Sequence, residues 1–228
     1  MACECTADTV PGRLRHRPGE KLDRHRHDGG FAALVLSGSY VEAGDRGRMR
    51  VAAGNVILHG LYEAHLNDVA HCGAEVLVLP WTGGIASPLG TVGDADAIAR
   101  LADRDIRLAS GLLKAQLAPL PVAAIDWPDQ LANDMRHDPN LSLEEWADQA
   151  GLRPETISRG FRRAFGVTAV EFRMRSRVLK AVADIAGGGS LSQVAFDSGF
   201  ADQAHLTRSF RGLTGQTPRR WLTLRSQK

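Results

Sequence analysis

Hydrophobic residues follow different periods in the two halves of this chain. Residues 31–81 contain short runs rich in Val, Leu and Ile, namely FAALVLSGSYVE, RMRVAAGNVILHG and AEVLVLPW, separated by turns that contain glycine. Such runs predict β-strands, and several short strands with glycine turns predict a small sandwich or barrel. From Asp94 onward, apolar residues recur instead at steps of three and four, which predicts α-helices.

The segment DADAIARLADRDIRLASGLLKAQL opens the helical half, and Asp94 is its predicted N-cap. A proline-containing stretch, PLPVAAIDWPD, then interrupts regular structure, and we place a domain boundary there. We therefore expect three regions: a β domain over residues 1–90, a helical linker over 91–126 and an all-α domain over 127–228. The leucines of the linker predict a homodimer contact, unless they pack on the β domain of their own chain.

The all-α region contains an internal repeat with an offset of 48 residues, in which SLEEWADQAGL from Ser142 corresponds to SLSQVAFDSGF from Ser190. In each copy Ser is followed three residues later by Glu or Gln, the capping-box signature of a helix start. A glycine nine residues after the Ser suits a helix end, and a second amphipathic helix follows. Two helices joined by a short turn predict a helix-turn-helix, so we expect two such units.

The distribution of charge along the chain predicts a binding partner for the helical half. The whole chain has a net charge of +2, but residues 153–228 carry 14 Lys/Arg and 5 Asp/Glu, a net charge of +9. A basic end on a nearly neutral protein predicts a polyanionic partner for that end. In the second helix of each unit, Arg159 or Arg208 lies two positions from apolar anchors and projects from the opposite face. An outward arginine can bond guanine or phosphate, which predicts double-stranded DNA, whereas in a plain helical repeat these arginines would only be solvated.

The stretch VAFDSGFADQAHLTRSFRGLTGQTPRRW resembles the signature of the AraC/XylS family of bacterial transcription regulators. The resemblance covers residues 127–224, including a helix over 168–186, and implies that helices 154–165 and 202–213 enter two adjacent major grooves. The implied DNA-binding residues are Glu155, Thr156, Arg159, Arg162, Arg163, Gln203, Ala204, Arg208 and Arg211. Glu155 could accept from a cytosine amino group or cap its helix. A register error of one position would exchange Gln203 with Ala204.

Many members of that family carry an N-terminal cupin-type β-barrel that senses a small molecule, and the first half of this chain resembles the two cupin motifs. The matching residues are Gly19, His25, His27 and Gly38 in the first motif, and Gly54 and His65 in the second. The glutamate of the first motif should stand near residue 31, where this chain has Phe31. Side chains alternate along a strand, so His25 and His27 share one face.

The resemblance implies a metal or effector pocket at His25, His27 and His65. Three imidazoles could hold a divalent transition metal such as zinc, iron or nickel. The alternative is a barrel without metal, whose histidines line an effector pocket or hydrogen-bond within it. We expect His59 and His71 at the surface or behind these three histidines.

Two classes of function remain. The favoured one is a sequence-specific DNA-binding transcription regulator, without enzymatic activity, that responds to a small molecule or metal through a cupin-like domain. The alternative is a cupin-type metalloenzyme, an oxygenase or isomerase, fused to a regulatory DNA-binding domain. Phe31 in place of glutamate weakens the oxygenase version. A homodimer is expected, and contact with RNA polymerase is left open.

The remaining composition bears on the compartment. Three cysteines are too few for a disulfide scaffold, so Cys3, Cys5 and Cys72 are expected as reduced thiols, with a soft-metal site at Cys3 and Cys5 as the alternative. The sequence shows no secretory signal and no apolar run that could span a bilayer. We therefore expect a cytoplasmic protein without a membrane partner.

Overall fold

The chain divides into two compact units, Met1–Ile125 and Asp126–Lys228. The structure is a computed structural model that describes residues 5–6 and 10–225, with only the backbone of residues 5, 6 and 225. The first unit consists mainly of β-strands, and the second consists of α-helices. The segment 91–126 belongs to the first unit up to Ile125. Cys3 and the outermost ends of the predicted domains lie outside the described residues.

The β unit is organised around two long, neighbouring strands, β4 and β7. Its strands are β1 Cys5–Thr6, β2 Gly12–His16, β3 Lys21–Arg26, β4 Phe31–Gly44, β5 Gly47–Ala52, β6 Asn55–His59, β7 Ala64–Pro80, β8 Leu89–Thr91 and β9 Ala118–Pro119. They form one sheet in the order β1-β3-β7-β4-β6-β8-β9, with β2 added to β7 and β5 added to β4. Pairing is antiparallel except between β1 and β3. The strands predicted within residues 31–81 are confirmed, whereas the short basic strand β2 was not predicted.

A pair of glycines allows a close approach between strands β4 and β7. Their register shifts between Val35 and Tyr40. A Cβ atom added to Gly38 would lie 1.9 Å from the carbonyl oxygen of Gly73. Both glycines have positive φ, at 73° and 72°, where side chains are disfavoured. Gly38 is therefore required for the two strands to remain paired through this shift.

Both faces of the first five residues of β4 are buried, which explains the unbroken apolar run there. Phe31, Ala33 and Val35 belong to one cluster of buried residues, while Ala32 and Leu34 belong to a second. The second cluster also contains residues of two helices, α1 Ala95–Ala102 and α2 Ile106–Gln116. These helices therefore cover one face of the sheet, as expected for a strand without polar alternation.

The helical segment predicted from Asp94 is two helices, not one. The predicted cap is confirmed, because the carboxylate of Asp94 accepts a hydrogen bond from the amide of Ala97 at 2.7 Å. The break comes at Asp105, which caps α2 by accepting from the amides of Arg107 and Leu108 at 2.9 and 3.0 Å. An aspartate within an apolar period favours a new helix start over continuation, since its side chain competes for backbone amides.

The second unit contains seven helices among the described residues. They are α3 Trp127–His137, α4 Leu143–Gln149, α5 Pro154–Phe165, α6 Ala169–Ala186, α7 Leu191–Asp197, α8 Gln203–Thr214 and α9 Pro218–Arg225. Helices α4 and α5 form one pair and α7 and α8 form a second, in the positions predicted from the repeat. Within the described part of the chain, none of the helices is long and apolar enough to cross a membrane.

The predicted helix starts and turns are confirmed in both pairs. Ser142 and Ser190 accept hydrogen bonds, each at 3.3 Å, from the amides three residues later. The turn glycines Gly151 and Gly199 have φ of 65° and 73°. Neither serine is part of a complete capping box, whereas Asp126 before α3 and Thr168 before α6 each form one. At Thr168 the side chain of Glu171 also accepts from the backbone amide, at 2.9 Å.

Aromatic residues make the core of the helical unit. Phe161, Phe165 and Phe172 are fully buried, and their ring centroids lie 4.7 to 5.4 Å apart. The corresponding residue of the second pair, Phe210, packs against Trp221 at 5.7 Å. These contacts fix the buried face of α5 and α8, and thereby determine which side chains those helices expose.

Candidate DNA interface and histidine cluster

Helices α5 and α8 each bury one face and expose the other. The buried anchors are Ile157 and Phe161 in α5, and Leu206 and Phe210 in α8. Arg159 and Arg208, two positions away from an anchor on each side, are exposed. The guanidinium of Arg159 donates from Nε to the carbonyl of Glu155 at 3.4 Å, a long bond that a stronger acceptor could replace.

All nine predicted DNA-binding residues lie on the exposed surface of these two helices. They are Glu155, Thr156, Arg159, Arg162 and Arg163 in α5, and Gln203, Ala204, Arg208 and Arg211 in α8. Glu155 lies in the first turn of α5, where the helix dipole favours a negative charge. The amide oxygen of Gln203 accepts from the hydroxyl of Ser192 at 3.3 Å, so this side chain already has an orientation.

Strand pairing brings the histidines of the β unit together. His25 on β3 lies directly opposite His65 on β7. His59, at the end of β6, lies opposite Phe31 on β4. His65 in turn faces Gly44, where an added Cβ would lie 3.0 Å from the Cβ of His65. The absence of a side chain at Gly44 therefore leaves room for His65.

The three histidines predicted to form a pocket lie close together. Ring centroids are 4.9 Å apart for His25 and His27, 4.4 Å for His25 and His65, and 5.2 Å for His27 and His65. One nitrogen of each ring lies within 4.8 Å of the others. His25 Nδ1 donates to the carbonyl of Asp23 at 2.8 Å, and in the neutral ring this leaves the lone pair on Nε2.

A second group of potential ligands, Glu42, His59 and His65, shares His65 with the first. All three are buried, and their ligand atoms also lie within 4.8 Å of one another. Oε1 of Glu42 lies 3.6 Å from Nε2 of His59. Burial, together with Glu63, raises the pKa of Glu42 well above its ordinary value. Burial, together with the positive potentials of His27, His25 and Arg46, lowers the pKa of His59 to about 3.

The same environment acts on other residues of the site. Burial, followed by the neighbouring histidines and Arg24, lowers the pKa of His65 well below its ordinary value. Burial and the charge of Glu42 raise the pKa of Tyr40. Glu42, His59 and Tyr40 therefore occupy an apolar interior in which each neutral form is favoured. At neutral pH the imidazoles of His59 and His65 keep a lone pair, which a metal or a hydrogen-bond donor can use.

Two ionic networks hold the turn that connects His59 to His65. Glu63 accepts from Arg46 at 2.5 Å and from the amide of Gly60 at 2.8 Å. Asp45 is paired with Arg24, and it also accepts from the amide of Ala64 at 2.9 Å. These bonds fix both ends of the turn and thereby the positions of the two histidines.

Comparison with known proteins concerns mainly the helical unit. Residues 146–223 match a family model described as a helix-turn-helix domain. The HTH-type transcriptional regulator RipA of Corynebacterium glutamicum is 40% identical over 82 residues, which make up 36% of this chain and 25% of that protein. These matches support the predicted resemblance to the AraC/XylS family for the helical unit, which is therefore described as an AraC-type domain. The matched segment spans a quarter of the length of RipA, and it lies within the AraC-type domain.

Solved structures show a weaker likeness. ToxT from Vibrio cholerae, in its unsaturated fatty acid bound form, is 13% identical, with coverage of 93% of this chain and 94% of that one and a TM-score of 0.43. The DNA-binding domain of AdpA, solved in complex with a target DNA, is 24% identical over 45% of this chain and 96% of that one, with a TM-score of 0.41.

Part of the positive charge of the AraC-type domain is used internally. Arg173 donates to the carbonyl of Leu141 at 2.8 Å, and Arg177 donates to the carbonyl of Pro139 at 2.8 Å. Arg175 is buried, with 5% of its surface exposed. Arg173 and Arg177 therefore hold the chain between α3 and α4. The net charge of +9 therefore overstates the charge available to DNA, whereas the arginines of α5 and α8 remain exposed.

In the β unit, one residue of the site, Glu42, was not predicted. His59 was expected at the surface or behind the three histidines, and it is buried, with 4% of its surface exposed, which agrees with the second alternative. Glu42 was not considered. A carboxylate among the apolar residues of β4 could have indicated a buried polar group with a special role, because glutamate is seldom buried. Phe31 stands where the motif has glutamate, and its ring stacks on His59 at 4.1 Å. His71 is exposed, as one of the two alternatives had it.

Proposed function

We propose that this chain is a sequence-specific DNA-binding transcription regulator, in which the AraC-type domain binds DNA and the β unit responds to a ligand. The observation that carries the proposal is the repeated design of α5 and α8. Each helix has buried apolar anchors and an exposed arginine two positions away. Each has 12 residues, a length of about 18 Å, which suits an α-helix lying in a major groove.

The exposed side chains divide into two roles. Arg159 and Arg208 lie mid-helix and have the geometry to bond O6 and N7 of guanine together. Gln203, in the first turn of α8, can bond adenine in the same bidentate manner. Arg162 and Arg163, in the last turn of α5, would contact phosphates and position the helix without reading sequence.

Selection from a random double-stranded DNA library with the full chain tests this function. We expect enrichment of one sequence class, followed by tighter binding to the selected sequence than to a scrambled one at the same salt concentration. Arg104→Ala, at an exposed position of the β unit, is the matched control and should bind like wild type. If the library yields no enriched sequence even at low salt, the assignment to DNA-binding regulators is wrong.

We further propose that the β unit responds to a metal such as zinc, iron or nickel, or to a small molecule, bound in the pocket that His25, His27 and His65 line. Support comes from the short distances between the three rings and from the cavity of about 90 Å³ that they line. A ligand that binds the folded state raises the melting temperature. A thermal-shift screen of wild type beside His27→Gln and the exposed control His71→Gln tests the site. Equal shifts in all three proteins would place the ligand elsewhere.

The homodimer stays a prediction, and the structure changes its best test. Ile98 and Leu113 are fully buried on the chain's own sheet, and Leu112 packs against the same cluster. This packing is the alternative that the sequence left open. Leu108, by contrast, has 61% of its surface exposed. Sedimentation of Leu108→Asp against wild type therefore tests dimerisation without damaging the core, and an unchanged dimer would show that the interface does not use α2.

A further inference from the structure

Two sets of potential metal ligands meet at His65. The outer set consists of His25, His27 and His65, and its His25 is partly exposed. The inner set consists of Glu42, His59 and His65, and each of its members has 5% or less of its surface exposed. His65 cannot serve two separate ions in the ordinary way, so one set must take precedence.

The spacing within the inner set is close to that of a mononuclear site. Metal bonds to histidine nitrogen and carboxylate oxygen are about 2.0 to 2.2 Å long, which separates two ligands of one tetrahedral ion by roughly 3.5 Å. Oε1 of Glu42 and Nε2 of His59 are 3.6 Å apart. This distance is long for a hydrogen bond but suits two ligands of a common ion. The remaining ligand atoms lie within 4.8 Å, so small rotations of the side chains would complete the site.

Unpartnered polar atoms occur on residues of the same cluster. Nε2 of His59 and Nδ1 of His65 are completely buried and make no hydrogen bond within the described residues. Oδ1 of Asn67, which lines the same cavity, is a third such atom. Buried polar groups in proteins almost always have a partner, because an unmade bond costs free energy. A metal ion would serve as partner for both imidazole nitrogens at once.

Charge balance also favours the inner set. Three neutral imidazoles leave both positive charges of a divalent ion uncompensated in an apolar interior. Glu42 can supply one negative charge, and the positive ion in turn favours the ionised carboxylate. The cavity, at about 90 Å³, is far smaller than the several hundred Å³ typical of pockets for organic ligands. It suits an ion with a few water molecules.

We propose that Glu42, His59 and His65 bind one divalent transition metal ion, and that Glu42 replaces the carboxylate that is missing at Phe31. His25 and His27 then line the approach to the ion instead of coordinating it. The regulatory meaning of this site rests on the proposed function, whereas the binding of metal by the full chain does not.

The first test is the metal affinity of the full chain, produced without a histidine tag, stripped with a chelator and titrated with Zn²⁺ or Co²⁺. We expect one ion per chain. Glu42→Gln and His59→Gln should each weaken metal binding by more than ~10- to 100-fold, which is the cost of losing a residue that contacts a ligand but does not itself bind the metal. His25→Gln should fall within that smaller range, and the exposed control His71→Gln should bind like wild type.

The opposite ranking would overturn the proposal. If His25→Gln and His27→Gln abolish binding while Glu42→Gln and His59→Gln retain it, the outer set is the metal site. If wild type takes up no ion at all, neither set binds metal. Circular dichroism of each variant shows whether it has folded, and His65→Gln should lose the ion under either assignment.

A second measurement needs no variant. Anomalous diffraction from crystals of the Co²⁺-loaded wild-type chain should place the ion between Glu42, His59 and His65, and a peak between His25 and His27 would contradict the proposal. DNA binding is measured separately, with the sequence selected from the library. If the chain binds metal but selects no DNA, the metal site stands and the proposed function is wrong. If it selects DNA but binds no metal, the proposed function stands and the metal site is wrong.

Discussion

The side chains proposed to act are exposed in one unit of this chain and buried in the other. In the AraC-type domain the side chains proposed to act are exposed, and the core beneath them is apolar and aromatic. In the β unit the proposed metal ligands Glu42, His59 and His65 are themselves buried. One residue type shows the contrast. Hydrogen bonds from Thr168 lower the pKa of Glu171 at the start of α6, whereas burial raises the pKa of Glu42 in β4.

This difference determines what each unit can do. An exposed arginine finds its partner by diffusion and acts through a charge that is always present, so a DNA surface needs little more than a rigid helix beneath it. A buried carboxyl beside buried imidazoles has no such freedom, because every charge that enters must be compensated locally. The surface is suited to a large polyanion, and the interior is suited to a small ion or ligand.

The largest expected effect separates the units. Phe210→Ala removes a fully buried ring beside Trp221, and we expect it to destabilise the helical unit by about 3–5 kcal/mol. DNA binding should be lost at elevated temperature, while metal binding by the β unit remains. Parallel titrations of one protein sample with DNA and with Zn²⁺ measure both. The exposed control is Val170→Ala, and loss of both activities in Phe210→Ala would show that the units do not fold independently.

The next effect distinguishes sequence reading from charge on α5 and α8. Arg208→Ala should weaken binding to the selected DNA by ~1–3 kcal/mol and relax the preference at one base pair. Arg163→Ala should instead weaken binding to every sequence and reduce the slope of log K against log salt by about 1. Binding isotherms at several salt concentrations separate the two patterns. Identical behaviour of both variants would mean that neither arginine reads a base.

A smaller effect is expected from a methyl group in the β unit. Gly44→Ala would place a Cβ 3.0 Å from both the backbone carbonyl oxygen of Ala64 and the Cβ of His65, so β7 must shift and carry the imidazole with it. We expect metal affinity to fall by about 10-fold, the lower end for disturbing the surroundings of a ligand. Gly93→Ala meets no atom within 4 Å and is the matched control. Unchanged affinity in Gly44→Ala would indicate that the position of His65 does not limit binding.

The smallest effect concerns Glu171, whose lowered pKa stabilises the folded state at neutral pH. Glu171→Ala should cost about 1 kcal/mol, as is typical for loss of a helix cap. Because the pKa is lower when folded, this contribution is complete above about 4.5 and is lost as the pH falls through the folded value. Glu145→Ala should cost less, since at Ser142 only the serine makes its half of the capping box. Urea denaturation at pH 7 and pH 3 tests both.

The sequence predicted the functional residues of the helical unit better than those of the β unit. Ser142, Gly151 and Arg159 act within one or two helical turns, so local pattern located the caps, the turns and the exposed face of α5. The carboxylate of the β unit was sought near Phe31, because a motif fixes positions along the chain. Glu42 reaches the cluster through the pairing of strands that are distant in sequence, and local spacing cannot supply that register. An isolated carboxylate among the apolar residues of β4 was the available signal.

The contact between Gly38 and Gly73 has an evolutionary consequence. The residues that bind a ligand can change when the ligand changes, because β4 and β7 remain paired when other polar residues replace the histidines. A side chain at position 38 cannot be accommodated in the same way, because it would collide with backbone. In an alignment of chains that share this β unit, glycine at position 38 should therefore persist after the histidines have diverged. Relatives that sense different molecules would then share this glycine even where their binding-site residues differ.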